Sequence, residues 1–180
     1  KKIADQLFTL GRNRGGRPRA PGLDEPIVVI TPEPANLTPA DTSASVEIAL
    51  AGAIGKRRPN TLALQLPRGA GEAEIRRVLE ASRDAGIIVV GAISANDDPA
   101  QIALVRALLA RGDRPVVVSL RTPYDLMEFP GVETYLCAYS IRPASMEAVA
   151  RVLFGEIPAR GLLPCAIPGL AASGDGLVVA

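Results

Sequence analysis

The chain has no histidine and no tryptophan among its 180 residues, and only three phenylalanines, three tyrosines and two cysteines. Each shortage removes a class of chemistry. Without an imidazole, a histidine general acid/base, a Ser-His or Cys-His nucleophile and a His-ligated metal are all excluded. With aromatics at 3%, stacking platforms for sugars or single-stranded nucleic acid are scarce. A formal net charge of +1 gives no global field to hold a polyanion, so nucleic acid is not an expected partner. No apolar run approaches the ~20 residues that span a bilayer, and the opening KKIADQLF lacks the apolar core of a signal peptide. A membrane partner is therefore not expected, and a cytoplasmic setting is the default. The chain does not begin with Met and reads as a piece of a longer protein, whose own targeting signal would lie outside it.

Cys137 and Cys165 stand far apart in apolar segments and read as buried free thiols rather than a disulfide or a reactive pair. Neither G-x-G-x-x-G nor a Gly-Lys-Ser/Thr loop occurs, so dinucleotide and P-loop nucleotide binding are disfavoured. No cofactor and no metal are expected.

What is present is apolar patterning. At 180 residues and 48% hydrophobic content, the chain is the size of one domain with a substantial core. Continuous β-branched or aliphatic runs at 26–31, 61–66, 87–93, 115–120 and 133–139 predict strands buried on both faces. Between them lie helical stripes: Val46, Ala49, Leu50, Ala53 and Ile54, then Ile75, Val78, Leu79 and Ser82, then 99–111, and finally Met146, Val149, Ala150 and Leu153. Gly112 and Gly155 mark helix ends, and Asp98 before Pro99 suits an N-cap and first-turn pair. Thr122, Pro123 and Asp125 read as a capping arrangement opening a short helix that Pro130 ends.

The expected fold is α/β: a three-layer sandwich with a mostly parallel five- or six-stranded sheet and helices on both faces. A sixth, antiparallel edge strand is sought at 176–180. Residues 1–25 read as a linker and N-terminal arm, and 26–180 as the sandwich domain. Within the arm, GRNRGGRPR places four arginines among Gly, Asn and Pro, which discourage regular structure. It reads as a solvated connector, with phosphate binding by a basic arm as the rival.

In open α/β sheets ligands sit beyond the carboxyl ends of the strands, so candidate site residues are sought there. After the third predicted strand come Asn96, Asp97 and Asp98, a set that could do acid/base work, hold a cation or cap a helix. After the fourth come Arg121, Tyr124 and Asp125, which could place a guanidinium, a phenol and a carboxylate around a polar ligand. Their bland reading has Asp125 capping its own helix, Arg121 pairing with Asp97 or Asp125, and Tyr124 filling a gap. Ser140 has no base beside it, and loop hydrogen bonding suits it better than nucleophilic attack. The substrate-binding candidates are thus Asn96, Asp97, Arg121, Tyr124 and Asp125, with no catalytic residue and no metal ligand.

The order of motifs carries a resemblance. A buried strand, Arg-x-Pro-Tyr-Asp-Leu at 121–126, a strand ending in Tyr139, a Pro-Ala-Ser-Met-Glu-Ala helix at 143–148 and a closing Gly-Glu-Ile-x-x-x-Gly-x-Leu-Pro at 155–164 follow one another. This set resembles the C-terminal α/β domain of family 3 glycoside hydrolases, most closely the β-N-acetylhexosaminidase branch. ADQLFTLGRN and LTPADTS resemble that domain's opening segments more faintly. Leu162 departs from the family, which often has a basic or polar residue before Leu-Pro.

The resemblance implies that the nucleophilic Asp and most sugar contacts belong to a separate (β/α)8 barrel, the expected partner, and that the histidine acid/base of the branch lies on a barrel loop. This chain is then an accessory domain, inactive alone, of a parent that hydrolyses terminal β-linked N-acetylglucosamine. Two alternatives stand beside it. One is an independent carbohydrate-, polyanion- or protein-binding module. The other is a domain that donates a Glu acid/base, from Glu33, Glu128, Glu133 or Glu156, to a β-glucosidase-like barrel.

Overall fold

The computed structural model describes residues 25–36, 40 and 46–176, together with the backbone of Thr9–Asn13. Six strands form one sheet: β1 (Thr9–Asn13), β2 (Ile27–Pro32), β3 (Thr61–Leu66), β4 (Ile87–Ala92), β5 (Val116–Ser119) and β6 (Thr134–Cys137). Their spatial order is β1-β6-β5-β4-β2-β3. β2 to β6 are mutually parallel, with Val29 level with Val89, Val90 with Val117, and Val118 with Leu136. The chain leaves β2 outward to β3 and returns to β4 on the other side of β2, so the strand order reverses between β2 and β4. That reversal is the usual location for a ligand crevice in such sheets.

Four helices cover the two faces: α1 (Leu50–Gly55), α2 (Glu72–Ala81), α3 (Pro99–Arg111) and α4 (Pro143–Leu153). Alternation along the strands divides the core between them. Ile27 and Val29 point into the cluster with Leu50, Ile54, Met146 and Val149, beneath α1 and α4. Val28 and Ile30 point into the opposite cluster with Val78, Leu104, Leu108 and Tyr135, beneath α2 and α3. The three-layer α/β sandwich expected from the strand runs is the architecture observed.

The helix ends follow from local chemistry. Gly112 and Gly155 take positive φ, 93° and 70°, just beyond α3 and α4, a conformation that side chains with a Cβ resist. At the start of α2 the Gly71 N–H donates to Glu74 Oε2 at 3.1 Å, the carboxylate half of a capping box. At the amino edge of the sheet, where α1 and α4 end, Arg57 Nη2 donates to Glu147 at 2.8 Å and to Glu156 at 2.9 Å. This fork fastens the two helices of one layer together, and Glu156 is held below the ordinary carboxylate range chiefly by its hydrogen bond to Arg57.

Three details differ from the sequence expectation. Gly11–Asn13 lies within the glycine-rich stretch read as discouraging regular structure, yet it belongs to β1, which pairs antiparallel with β6. The β6 edge supplies partners for backbone groups that composition alone leaves unsatisfied. A register irregularity between Leu10 and Arg12 accommodates the glycine. The sheet is therefore completed at an edge by the N-terminal segment; most of the strand sought at 176–180, and the rest of the arginine-rich arm, lie outside the described residues. The first helix is also shorter than its stripe: Val46 and Ala49 precede α1, where no side chain caps the N-terminus. Burial of Ile48 satisfies that part of the apolar pattern without a helical turn.

The layered core predicts a sharp contrast between two leucines. Leu104, on the inner face of α3, is 1% exposed, whereas Leu62 on the edge strand β3 is 46% exposed. Leu104→Ala should cost about 2–5 kcal/mol of unfolding free energy, and Leu62→Ala less than about 0.5 kcal/mol. Urea unfolding followed by circular dichroism measures both.

Candidate functional site

The loops beyond the carboxyl ends of β3, β4 and β5 are joined by two buried acids. Asp98 is 2% exposed and occupies the residue before α3, as its sequence position suggested. Its carboxylate makes no cap to α3. Instead Oδ1 accepts the Gly69 N–H at 3.1 Å from the loop after β3, and Oδ2 accepts from Gln101 Nε2 at 3.2 Å. Gln101 in turn pairs with both backbone groups of Ile93, receiving its N–H and donating to its carbonyl at 3.0 Å each. A side-chain amide thereby continues the ladder past the end of β4.

Asp125, also 2% exposed, repeats the device one strand further along. Its Oδ1 accepts the Ala95 N–H at 2.8 Å, and its Oδ2 accepts from Ser119 Oγ at 3.1 Å. The expectation that Asp125 caps its own short helix is corrected: the 3₁₀ turn Pro123–Met127 has no side-chain cap. The acid reaches across to the β4 loop, because two donors in a dry setting stabilise a buried carboxylate better than one exposed helix end. Burial raises its pKa above the ordinary value of 3.8, while the Ala95 and Ser119 hydrogen bonds act in the opposite direction. The Tyr135 hydroxyl, donating to the Pro123 carbonyl at 3.0 Å, pins the same turn from below.

The five candidate residues do not converge. Asn96 and Asp97 are exposed in the 3₁₀ turn Ala95–Asp97, where Asn96 Nδ2 donates to Asp97 Oδ1 at 2.8 Å. Tyr124 is 44% exposed rather than filling a gap. Its phenol lies beside Cys165, and hydrogen bonding between them raises the Tyr124 pKa. Asp125 faces the interior. Arg121 lines a cleft.

That cleft encloses about 190 Å³ at the carboxyl ends of four strands. Pro34 and Ala35 follow β2, Ile93 follows β4, Leu120 and Arg121 follow β5, and the segment from Tyr139 to Arg142 follows β6. It therefore opens at the reversal of strand order. Tyr139 takes φ 54°, a left-handed conformation that is uncommon for a bulky residue and marks the wall of the cleft. Ser140 Oγ accepts the Arg142 N–H at 3.1 Å, the loop hydrogen bond expected of it. Arg142, which is not among the five candidates, lies between the last predicted strand and Pro143 and so stands at the same edge as Arg121.

The glutamates proposed as acid/base donors fall in different places. Glu156 and Glu133 lie at the amino edge, Glu156 held by Arg57 and Glu133 3.6 Å from Arg114. Glu128 follows the 3₁₀ turn over the core, and Glu33 is exposed immediately after β2, next to the cleft. Of the two thiols, Cys137 is buried and burial pushes it up to about 12, so it is inert at neutral pH. Cys165 departs from expectation in being only partly buried.

No protein-family model and no curated protein matches the sequence. Among solved structures, the chain is similar to a glycoside hydrolase family 3 β-N-acetylglucosaminidase from Paenibacillus sp. str. FPU-7, with 26% identity and a TM-score of 0.81 over 98% of this chain and 32% of that one. A fungal multi-domain family 3 β-N-acetylglucosaminidase gives 26% identity and a TM-score of 0.79 over 96% of this chain and 19% of that one. A β-glucosidase from Listeria innocua, at 13% identity and a TM-score of 0.67 over 86% of this chain and 25% of that one, shares the fold. The chain thus spans a third or less of each of these proteins.

The burial of Asp125 sets a pH test. A carboxyl whose pKa is raised on folding favours the folded state while protonated, and that contribution is lost as pH rises from 3.8 toward the raised value. The stability of the wild type relative to Asp125→Asn should therefore decline as pH increases through that window. Glu156, shifted the opposite way, is common to both proteins and cancels. Paired urea titrations between pH 4 and pH 7 read the difference, and an increase with pH contradicts the assignment.

Proposed function

Because the chain has the fold and the motif order of the C-terminal α/β domain of a family 3 glycoside hydrolase, we propose that it is a non-catalytic accessory domain seated beside a (β/α)8 barrel. The barrel supplies the bond-breaking groups and hydrolyses terminal β-linked N-acetylglucosamine. The observation that carries this reading is the match of 98% of this chain to 32% of a β-N-acetylglucosaminidase. Two features of the molecule support it: the chain has no histidine, and the buried acids at the carboxyl edge already hold loops together. A retaining glycosidase needs two carboxyl groups about 5–5.5 Å apart across a sugar. Asp98 and Asp125 face backbone donors instead.

In this reading the domain stabilises the barrel and shapes its approach, with the carboxyl edge as the surface turned toward substrate. A second reading rests on Glu33, the exposed carboxylate after β2, next to the cleft. It makes the domain a donor of one acid/base group to the barrel.

The purified chain should release no chromophore from an aryl N-acetyl-β-glucosaminide, whereas a polypeptide carrying both barrel and domain should. Deleting the domain from that polypeptide should lower its midpoint of thermal unfolding and its activity together. Turnover proportional to the concentration of the isolated chain overturns the accessory reading. Loss of turnover in the Glu33→Gln form of the joined protein, rescued by azide, favours the second.

A further inference from the structure

We propose that β3 is a dimerisation edge: two copies of this chain join by pairing their β3 strands antiparallel about a twofold axis at Ala63, so that one sheet continues into the other. The proposal goes beyond the accessory role and does not depend on it.

The two edges of the sheet are unlike. β1 carries a glycine, an arginine and a register irregularity, all of which hinder further pairing. β3, at the other end of the strand order, reads TLALQL, and its register with β2 is unbroken from Thr61 to Leu66. It holds no charge, proline, glycine or bulge, the features that ordinarily blunt an edge strand. Leu62, Ala63 and Gln65 are exposed along it.

The ladder decides which backbone groups face outward. The N–H groups of Ile27 and Glu33 donate to the carbonyls of Asn60 and Leu66. Alternation along a parallel pair therefore turns the even-numbered residues of β3 toward β2. It leaves the N–H and C=O groups of Thr61, Ala63 and Gln65 facing outward, where no described residue hydrogen-bonds to them.

The strand is complementary to itself, and this selects a second copy as the occupant. With the axis at Ala63, that residue meets its own counterpart, and Thr61 meets the partner's Gln65. On the α2 face Leu62, 46% exposed, lies opposite the partner's Leu64, a side chain already packed against the core. Pro59 and Pro67 stand four residues to either side of Ala63, at the positions where the next outward donors would fall. They oppose one another in this register and have no N–H to give, so pairing stops at both ends and the register is defined. No charge lies on the strand, so no like charges meet across the axis. A twofold contact of this kind closes at two copies.

Sedimentation equilibrium on the 180-residue chain tests the edge between about 1 µM and 1 mM, the range suited to a contact confined to one strand pair and its flanks. The mean mass should rise from one copy toward two, and the amides of Thr61, Ala63 and Gln65 should gain protection from exchange over the same range. Ala63→Pro removes an outward N–H and leaves the bonds to β2 in place. Leu62→Lys sets a charge against the partner's Leu64. Each should raise the dimer Kd at least about tenfold, and Arg106→Gln, exposed on α3, should leave it unchanged. Circular dichroism checks that each variant is folded; should Ala63→Pro fail to fold, Leu62→Lys, at an exposed position, decides alone. A chain that stays single throughout, a dimer indifferent to the β3 substitutions, or growth beyond two copies overturns the proposal. So does a single chain whose β3 amides are protected only on adding an extended peptide, which assigns the edge to another partner. These outcomes are separate from those of the domain-deletion experiment, since they are read on the isolated chain.

Discussion

The carboxyl edge of this sheet depends on two carboxylates that have been taken out of water. Asp98 and Asp125 are each 2% exposed, and each accepts a backbone N–H from the loop after another strand, Gly69 after β3 in one case and Ala95 after β4 in the other. A buried acid without partners is strongly unfavourable, so these contacts constrain the loops as firmly as the loops constrain the acids. Gln101 extends the arrangement by pairing with both backbone groups of Ile93. The loops after β3, β4 and β5 are thereby fixed to one another through side chains rather than through backbone ladders.

This constraint decides what the edge can do. A carboxylate that accepts two inward hydrogen bonds cannot also approach a substrate, and the residues that remain outside, Asn96, Asp97 and Tyr124, are dispersed along the rim. Arg121 and Arg142 share the lining of the cleft at this edge. At the opposite edge Arg57 joins α1 to α4 through Glu147 and Glu156, and this draws Glu156 into a structural ion pair. Among the described residues, the molecule therefore combines a scaffold tied at both edges of its sheet with a cleft at the carboxyl edge, in keeping with the accessory role proposed above.

Much of the architecture is legible in the sequence because its signals are local. Uninterrupted runs such as IVVIT and PVVVSL suit strands of a parallel sheet covered on both faces, and Gly112 ends α3 through a left-handed conformation its own chemistry favours. The parts that were not legible depend on distant residues. β1 forms because β6 presents an open edge more than a hundred residues away, which neither the glycines nor the arginines of that segment signal. Asp98 and Asp125 sit where capping residues belong, but their partners lie 29 and 30 positions away, so spacing alone assigns them the wrong hydrogen bonds. The cleft was half visible. Arg121 stood in a recognisable motif, whereas Arg142 acquires its meaning only when the end of β6 is brought beside the ends of β2 and β4.

The most direct measurement is amide hydrogen exchange at Gly69 and Ala95, resolved by NMR at neutral pH. Both N–H groups lie in loops, where exchange is ordinarily fast unless a hydrogen bond must first break. If the buried carboxylates hold the carboxyl edge together, both amides exchange slowly, with protection approaching that of β4. Exchange of either amide at the rate of an unstructured loop would contradict the account.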